Sequence, residues 1–159
     1  MKIYVMRHGQ AQFYADSDSQ RPLSEMGIHQ AKSMGIWLNK QCKTPIQQVW
    51  VSPYLRAQQT LNALKEHIQI QEPIKILEDL TPHGDEFDVI NYLNALLQAN
   101  PIESLLIVSH LPLVGYLTHS LTKSNEIPMF STASMAAIDY DVDTKMGHLS
   151  WFKNVSELA

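Results

Sequence analysis

The sequence predicts an α/β fold: a three-layer sandwich with a mainly parallel central sheet, helices on both faces and an antiparallel edge near the C-terminus. Three observations carry this. Short apolar runs alternate with longer stretches whose apolar residues recur at helical spacing. One run, SLLIV at 104–108, is apolar almost throughout, as a central parallel strand covered on both faces requires. The last two runs are joined by a polar turn, the spacing of a hairpin rather than of a crossover.

The elements follow in order. Residues 2–6 (KIYVM) read as the first strand, and the polar stretch 10–23, with Asp16, Asp18, Arg21 and Pro22, as a loop. Ser24 starts a helix whose Ile28, Ala31, Gly35 and Leu38 share a face, with Met34 beside them. Residues 47–51 (QQVWV) form a second strand. Ser52-Pro53 then signals a helix start, a capping hydroxyl followed by a proline at the first helical position. Ala57, Thr60, Leu61, Leu64 and Ile68 continue that helix's buried face. A short strand is expected at 74–77. Gly84-Asp85 precedes an amphipathic helix with Val89, Ile90, Leu93, Leu96 and Leu97 in phase. After strand 104–108, Pro112 to Leu121 reads as a helix, and residues 134–140 and 147–152 as the closing hairpin.

The chain of 159 residues suits one domain, 1–159, with no repeat or low-complexity tract. Hydrophobic residues make up 45% and charged residues 18%, the composition of a globular protein. Twelve basic against sixteen acidic residues leave a net charge of −4, which argues against a nucleic-acid partner and still permits a local cationic pocket. Cys42, the one cysteine, excludes an intrachain disulfide and reads as a reduced thiol. No signal peptide and no apolar run of membrane-spanning length is evident, so a cytoplasmic protein without a membrane partner is expected. Trp37, Trp50 and Trp151 are expected to pack in or beside the core. The Met129-Phe130 pair, in a loop after Pro128, is expected to be buried, with lining of a pocket mouth or contact with a partner as the alternative.

In open α/β sheets, ligands bind beyond the carboxyl ends of the strands. Chemistry-bearing residues stand at those places. The first strand is followed by Arg7-His8-Gly9, the second by Ser52-Pro53 and a helix with Arg56 in its first turn, and the central strand by Ser109-His110. Two guanidinium forks and a helix N-terminus suit the distributed negative charge of a phosphoryl group. A neutral imidazole can attack phosphorus and form a covalent phosphohistidine. Gly9 is expected to let the chain turn sharply and approach the ligand. An RHG tripeptide, a lone Arg or a lone His after a strand is each weak alone; no bland account places all of them after three strands.

The set RHG, RPLSEMG, SPYLRAQQT and VSHLPLVGYL resembles the histidine phosphatase (phosphoglycerate mutase-like) superfamily. The segments SDSQRPL, LTPHGD and SHLPLVGYL resemble its SixA-type phosphohistidine phosphatases. The resemblance implies that His8 is the phosphorylated nucleophile, that Arg7, Arg56 and His110 complete the phosphate pocket, and that neither cofactor nor metal is needed. Arg21 has two readings: it closes over the phosphate or steers an anionic partner, or it pairs with Asp16 or Asp18.

Relatives acting on phosphate esters supply a carboxylic acid to protonate the leaving alkoxide. Glu78 and Asp79 are the candidates here, whereas Asp85 reads better as a helix cap. A phosphohistidine substrate relaxes that need, because its leaving imidazole carries its own proton. No inserted helix is available as a lid between the Arg56 helix and strand 104–108, so the pocket is expected to be open to a side chain on another protein. The expected activity is therefore dephosphorylation of a phosphohistidine-bearing phosphotransfer protein, such as the histidine phosphotransfer (HPt) domain of a sensor kinase in a two-component phosphorelay. The alternative is a phosphomonoesterase or mutase for a small phosphorylated metabolite. A non-catalytic phosphate-binding module has no need of His8. A metalloprotein is disfavoured because His29, His67, His83, His119 and His148 are scattered without ligand spacing. His83, in the TPHG loop, is expected at the surface, at most edging the pocket.

Overall fold

The computed structural model describes residues 1–71 and 73–158. Its strands are β1 (Lys2–Arg7), β2 (Gln48–Val51), β3 (Ile74–Ile76), β4 (Ser104–Ser109), β5 (Met135–Asp141) and β6 (Met146–Lys153). Its helices are α1 (Glu25–Gln41), α2 (Leu55–Lys65), α3 (Glu86–Ala99) and α4 (Leu113–Thr122). The strands form one sheet in the order β3-β2-β4-β1-β5-β6. β3, β2, β4 and β1 are parallel, and β5 and β6 add the expected antiparallel edge.

Side chains alternate along a strand, so each strand feeds both faces of the sheet. Ile3 and Val5 of β1 and Leu105 and Ile107 of β4 point toward α3 and α4, where they meet Val89, Leu93, Leu113, Val114 and Leu117. Tyr4 and Met6, with Leu106 and Val108, point toward α1 and α2, where Met34, Leu38, Leu61 and Leu64 cover them. β4 is buried on both faces, as its continuous apolar sequence requires. Trp50 is fully buried, and Trp37 and Trp151 pack edge to face beside the core with ring centroids 4.6 Å apart.

Local signals explain most boundaries. The Ser24 hydroxyl accepts from the Gly27 N–H and starts α1; the Asp85 carboxylate accepts from the Phe87 N–H and starts α3. Several expectations need correction. Ile28 is exposed, because the buried stripe of α1 runs through Gly27, Ala31, Met34, Gly35 and Leu38, and Ile28 lies one residue out of phase. α2 begins at Leu55, not at Ser52-Pro53. The Ser52 N–H extends the sheet ladder to the Val108 carbonyl, its hydroxyl accepts from the Tyr54 N–H, and the helix starts only after Tyr54. α2 also ends at Lys65, which leaves Ile68 in the following loop, packed against the core from outside the helix. In the Met129-Phe130 pair, Phe130 is buried as expected and Met129 is 87% exposed.

The glycine of the RHG tripeptide serves a purpose other than the expected sharp turn. No glycine among the described residues has a positive φ. A Cβ on Gly9 would stand 2.6 Å from the Gly27 carbonyl oxygen, and a Cβ on Gly27 would stand 2.0 Å from that of Gln10. The loop after β1 is thus pressed backbone to backbone against the first turn of α1. Gly27→Ala, which leaves helix propensity improved, is expected to destabilise the protein by about 1–3 kcal/mol through this clash. The Tm in a thermal melt should fall by roughly 2–12 °C; an unchanged or raised Tm would show that the loop yields freely.

Candidate active site

Register brings the strand ends together. Arg7 of β1 pairs with Ser109 of β4, and Val51 of β2 pairs with Val108. The three chains then leave the sheet side by side, carrying Arg7-His8, Ser52 and His110 out at one edge. β1 and β4 are neighbours, yet the helix after β1 covers one face and the helix after β4 the other, so a crevice opens between them.

At that crevice lies a cavity of about 400 Å³. Its lining includes Arg7, His8, Arg21, Arg56 and His110, the five residues read from sequence as binding or attacking the phosphoryl group. The His8 and His110 rings are 5.0 Å apart between centroids. The Arg56 Nε donates toward His8 Nε2 at 3.4 Å, and His8 Nδ1 is 2.7 Å from the Gly9 carbonyl oxygen. Both contacts require the tautomer with hydrogen on Nδ1, which leaves the lone pair on Nε2, where Arg56 Nε meets it.

The two arginines are held by different elements. Arg7 Nη1 donates to the Phe130 carbonyl at 2.9 Å. Arg56 Nη1 donates to the Asp18 carbonyl at 2.7 Å, and its Nη2 to Asp18 Oδ2 at 3.2 Å. Its guanidinium also lies 5.0 Å over the Tyr54 ring. Two buried polar atoms, Arg7 Nε and His110 Nδ1, have no hydrogen-bond partner among the described residues. Buried groups of this kind are normally paired, and both residues line the same cavity.

Burial lowers His8 to a pKa of about 4; the Gly9 carbonyl opposes this, while the charges of Arg56, Arg7 and Arg21 add to it. Burial, then the charges of His8 and Arg56, lowers His110 to about 2, against the opposing charge of Asp18. Both rings are neutral at pH 7. In the unfolded chain each takes a proton near its ordinary value of about 6.5. The unfolded state therefore binds more protons below that pH, and stability is lost as pH falls from about 6.5 toward 4. The expected slope is on the order of 1.4 kcal/mol per pH unit for each ring. Urea unfolding at pH 7 and pH 5 checks it; equal stabilities would contradict the burial of two neutral imidazoles.

Arg21 makes the Asp18 pair that the sequence allows, and it does so at the cavity wall, its Nε 2.8 Å from Asp18 Oδ1. Asp18 thus joins Arg21 to Arg56, a role its place in a polar loop does not reveal. Its partial burial raises its pKa, but hydrogen bonds from Arg21 and Arg56 and their charges outweigh that and hold it below the usual carboxylate range. Ser52 is the other reassigned residue: its Oγ is 2.7 Å from His110 Nε2 and accepts from the Tyr54 N–H at 3.2 Å. Thr60 was legible only as part of a buried helix face. Its Oγ1 donates to the Arg56 carbonyl at 2.7 Å and accepts from the Gly9 N–H at 3.0 Å, joining the two halves of the site. Glu78 and Asp79 are exposed and do not line the cavity, whereas His83 does. Among the described residues no group of three or more His, Cys, Asp or Glu is placed to hold a metal ion, and no helix is long and apolar enough to cross a membrane.

Comparison with known proteins gives consistent matches. The family model of the histidine phosphatase superfamily (branch 1) matches residues 3–83. The phosphohistidine phosphatase SixA of Escherichia coli is 40% identical over 151 residues, covering 95% of this chain and 92% of that protein. The phosphohistidine phosphatase SixA homolog of Haemophilus influenzae is 36% identical over 147 residues, covering 89% of each. The solved structure of the protein histidine phosphatase SixA complexed with tungstate superposes with a TM-score of 0.93, at 39% identity over 100% of both chains.

Proposed function

Because this chain belongs to the histidine phosphatase superfamily, branch 1, and to its SixA-type members, we propose that it hydrolyses phosphohistidine on a protein through a covalent intermediate on His8. The observation that carries this reading is the pair of unpartnered buried atoms, Arg7 Nε and His110 Nδ1, lining one cavity with a neutral His8 imidazole whose lone pair is on Nε2.

The reaction has two displacements. His8 Nε2 attacks the phosphorus, the substrate's N–P bond breaks, and the imidazole of the substrate leaves with the electron pair, neutral because its other nitrogen carries a proton. Water then attacks the phosphoryl group on His8, that N–P bond breaks, and phosphate is released. Arg7, Arg56 and His110 hold the equatorial oxygens through both steps. The Ser52 hydroxyl is 2.7 Å from His110 Nε2 and accepts from the Tyr54 N–H; by donating its own hydrogen to Nε2 it would place the hydrogen of His110 on Nδ1, where it can bond an oxyanion. Arg21 adds charge at the entrance.

The leaving group decides between this reading and an ester phosphatase. An alkoxide needs an acid. Asp18, the carboxylate of the cavity wall, is held ionised by Arg21 and Arg56, and Glu78 and Asp79 stand outside. An N–P bond fits that setting better than an O–P bond. The partner we infer is the phosphohistidine of an HPt domain, met in the cytoplasm; no metal or cofactor enters the scheme. The test compares kcat/KM on a purified, phosphorylated HPt domain with that on a panel of sugar phosphates. The expected result is much the higher efficiency on the phosphoprotein, and the reverse ranking would replace this reading with a small-metabolite phosphatase.

A further inference from the structure

Resting on the phosphohistidine reading, we propose that an apolar collar of Phe13, Tyr14, Leu111 and Met129 docks the partner protein against apolar side chains that flank its phosphohistidine. The collar comes from three loops that meet at the cavity. Phe13 and Leu111 line its mouth, and Tyr14 follows Phe13. Met129 precedes Phe130, whose carbonyl holds Arg7. Phe13 is 89% exposed, Tyr14 90% and Met129 87%, while Leu111 is 42% exposed.

A phosphometabolite small enough for a cavity of about 400 Å³ leaves Tyr14 and Met129 in water. Such a substrate gives these side chains nothing to contact. Grouped exposed aromatics and methionines mark protein-binding surfaces. His8 is 7% exposed, so a substrate imidazole has to enter at full stretch, which brings the protein surface around it against the collar. The centre of the contact matches in charge, since three arginines and one carboxylate line the cavity that receives the phosphoryl anion.

The test uses Tyr14→Ser and Met129→Ser, singly and together, in the full chain. Each is assayed on a phosphorylated HPt domain and on phosphoimidazole, a substrate too small to reach Tyr14 or Met129 from the cavity. The double variant is expected to lose about 10- to 100-fold in kcat/KM on the phosphoprotein, mostly through KM, as removal of apolar anchors does. Phosphoimidazole hydrolysis and Tm should match the parent protein. Full activity of the double variant on the phosphoprotein, or an equal loss on both substrates, would overturn the collar proposal alone. A parent protein inert toward both N–P substrates but active on sugar phosphates would overturn it together with the phosphohistidine reading.

Discussion

His8→Ala is expected to reduce turnover of a phosphohistidine substrate by at least about 10⁴-fold, because it removes the atom that bonds to phosphorus. The loss should fall on kcat. The phosphate cradle of Arg7, Arg56 and His110 does not depend on the ring of His8 for its anchors, which are the Phe130 carbonyl, Asp18 and Ser52. Substrate affinity should therefore survive. His8→Asn is the sharper variant, since its amide occupies part of the imidazole's volume and cannot attack phosphorus. Steady-state kinetics with far-ultraviolet circular dichroism check both the activity and the fold. Turnover within tenfold of the parent would rule out His8 as nucleophile.

Arg56→Ala should cost about 10³-fold in kcat/KM. The side chain makes three directional contacts at once: Nη1 to the Asp18 carbonyl, Nη2 to the Asp18 carboxylate and Nε toward His8 Nε2. Truncation removes an oxyanion donor and also releases the loop that carries Asp18 and Arg21. Arg56→Lys keeps the charge but not the fork, so it should recover little of the loss. Full rescue by lysine would mean that Arg56 contributes only a point charge. The pH-rate profile adds a second readout. Removing a cation beside His8 should raise the pKa of the ring toward its ordinary value, moving the acidic limb of kcat/KM to higher pH.

Much of this site is legible in the sequence because parallel α/β sheets concentrate function after strands, and those strands are marked by apolar runs. Arg7, His8, Arg56 and His110 follow from that rule, and β4, buried on both faces, shows its place in its composition. The errors have local causes. Ser52-Pro53 carries every sign of a helix start, but tertiary pairing keeps Ser52 in the ladder and gives its hydroxyl to His110. Gly9 reads as a turn residue because glycine's freedom is visible in sequence, whereas the backbone of Gly27 pressed against it is not. Asp18 sits in a polar loop with no periodicity, so its contact with Arg56, 38 residues on, has no sequence signal at all. Met129 and Phe130 are adjacent apolar residues in one loop, and the sequence does not tell which of the two turns inward: Phe130 is buried and Met129 is exposed.

The most direct measurement is rapid quench of the protein with radiolabelled phosphohistidine substrate, followed by peptide mapping. The account predicts a burst of label on the peptide containing His8, stable in alkali and lost in acid. Label on any other residue, or turnover in the parent protein with no labelled intermediate at any quench time, would contradict it.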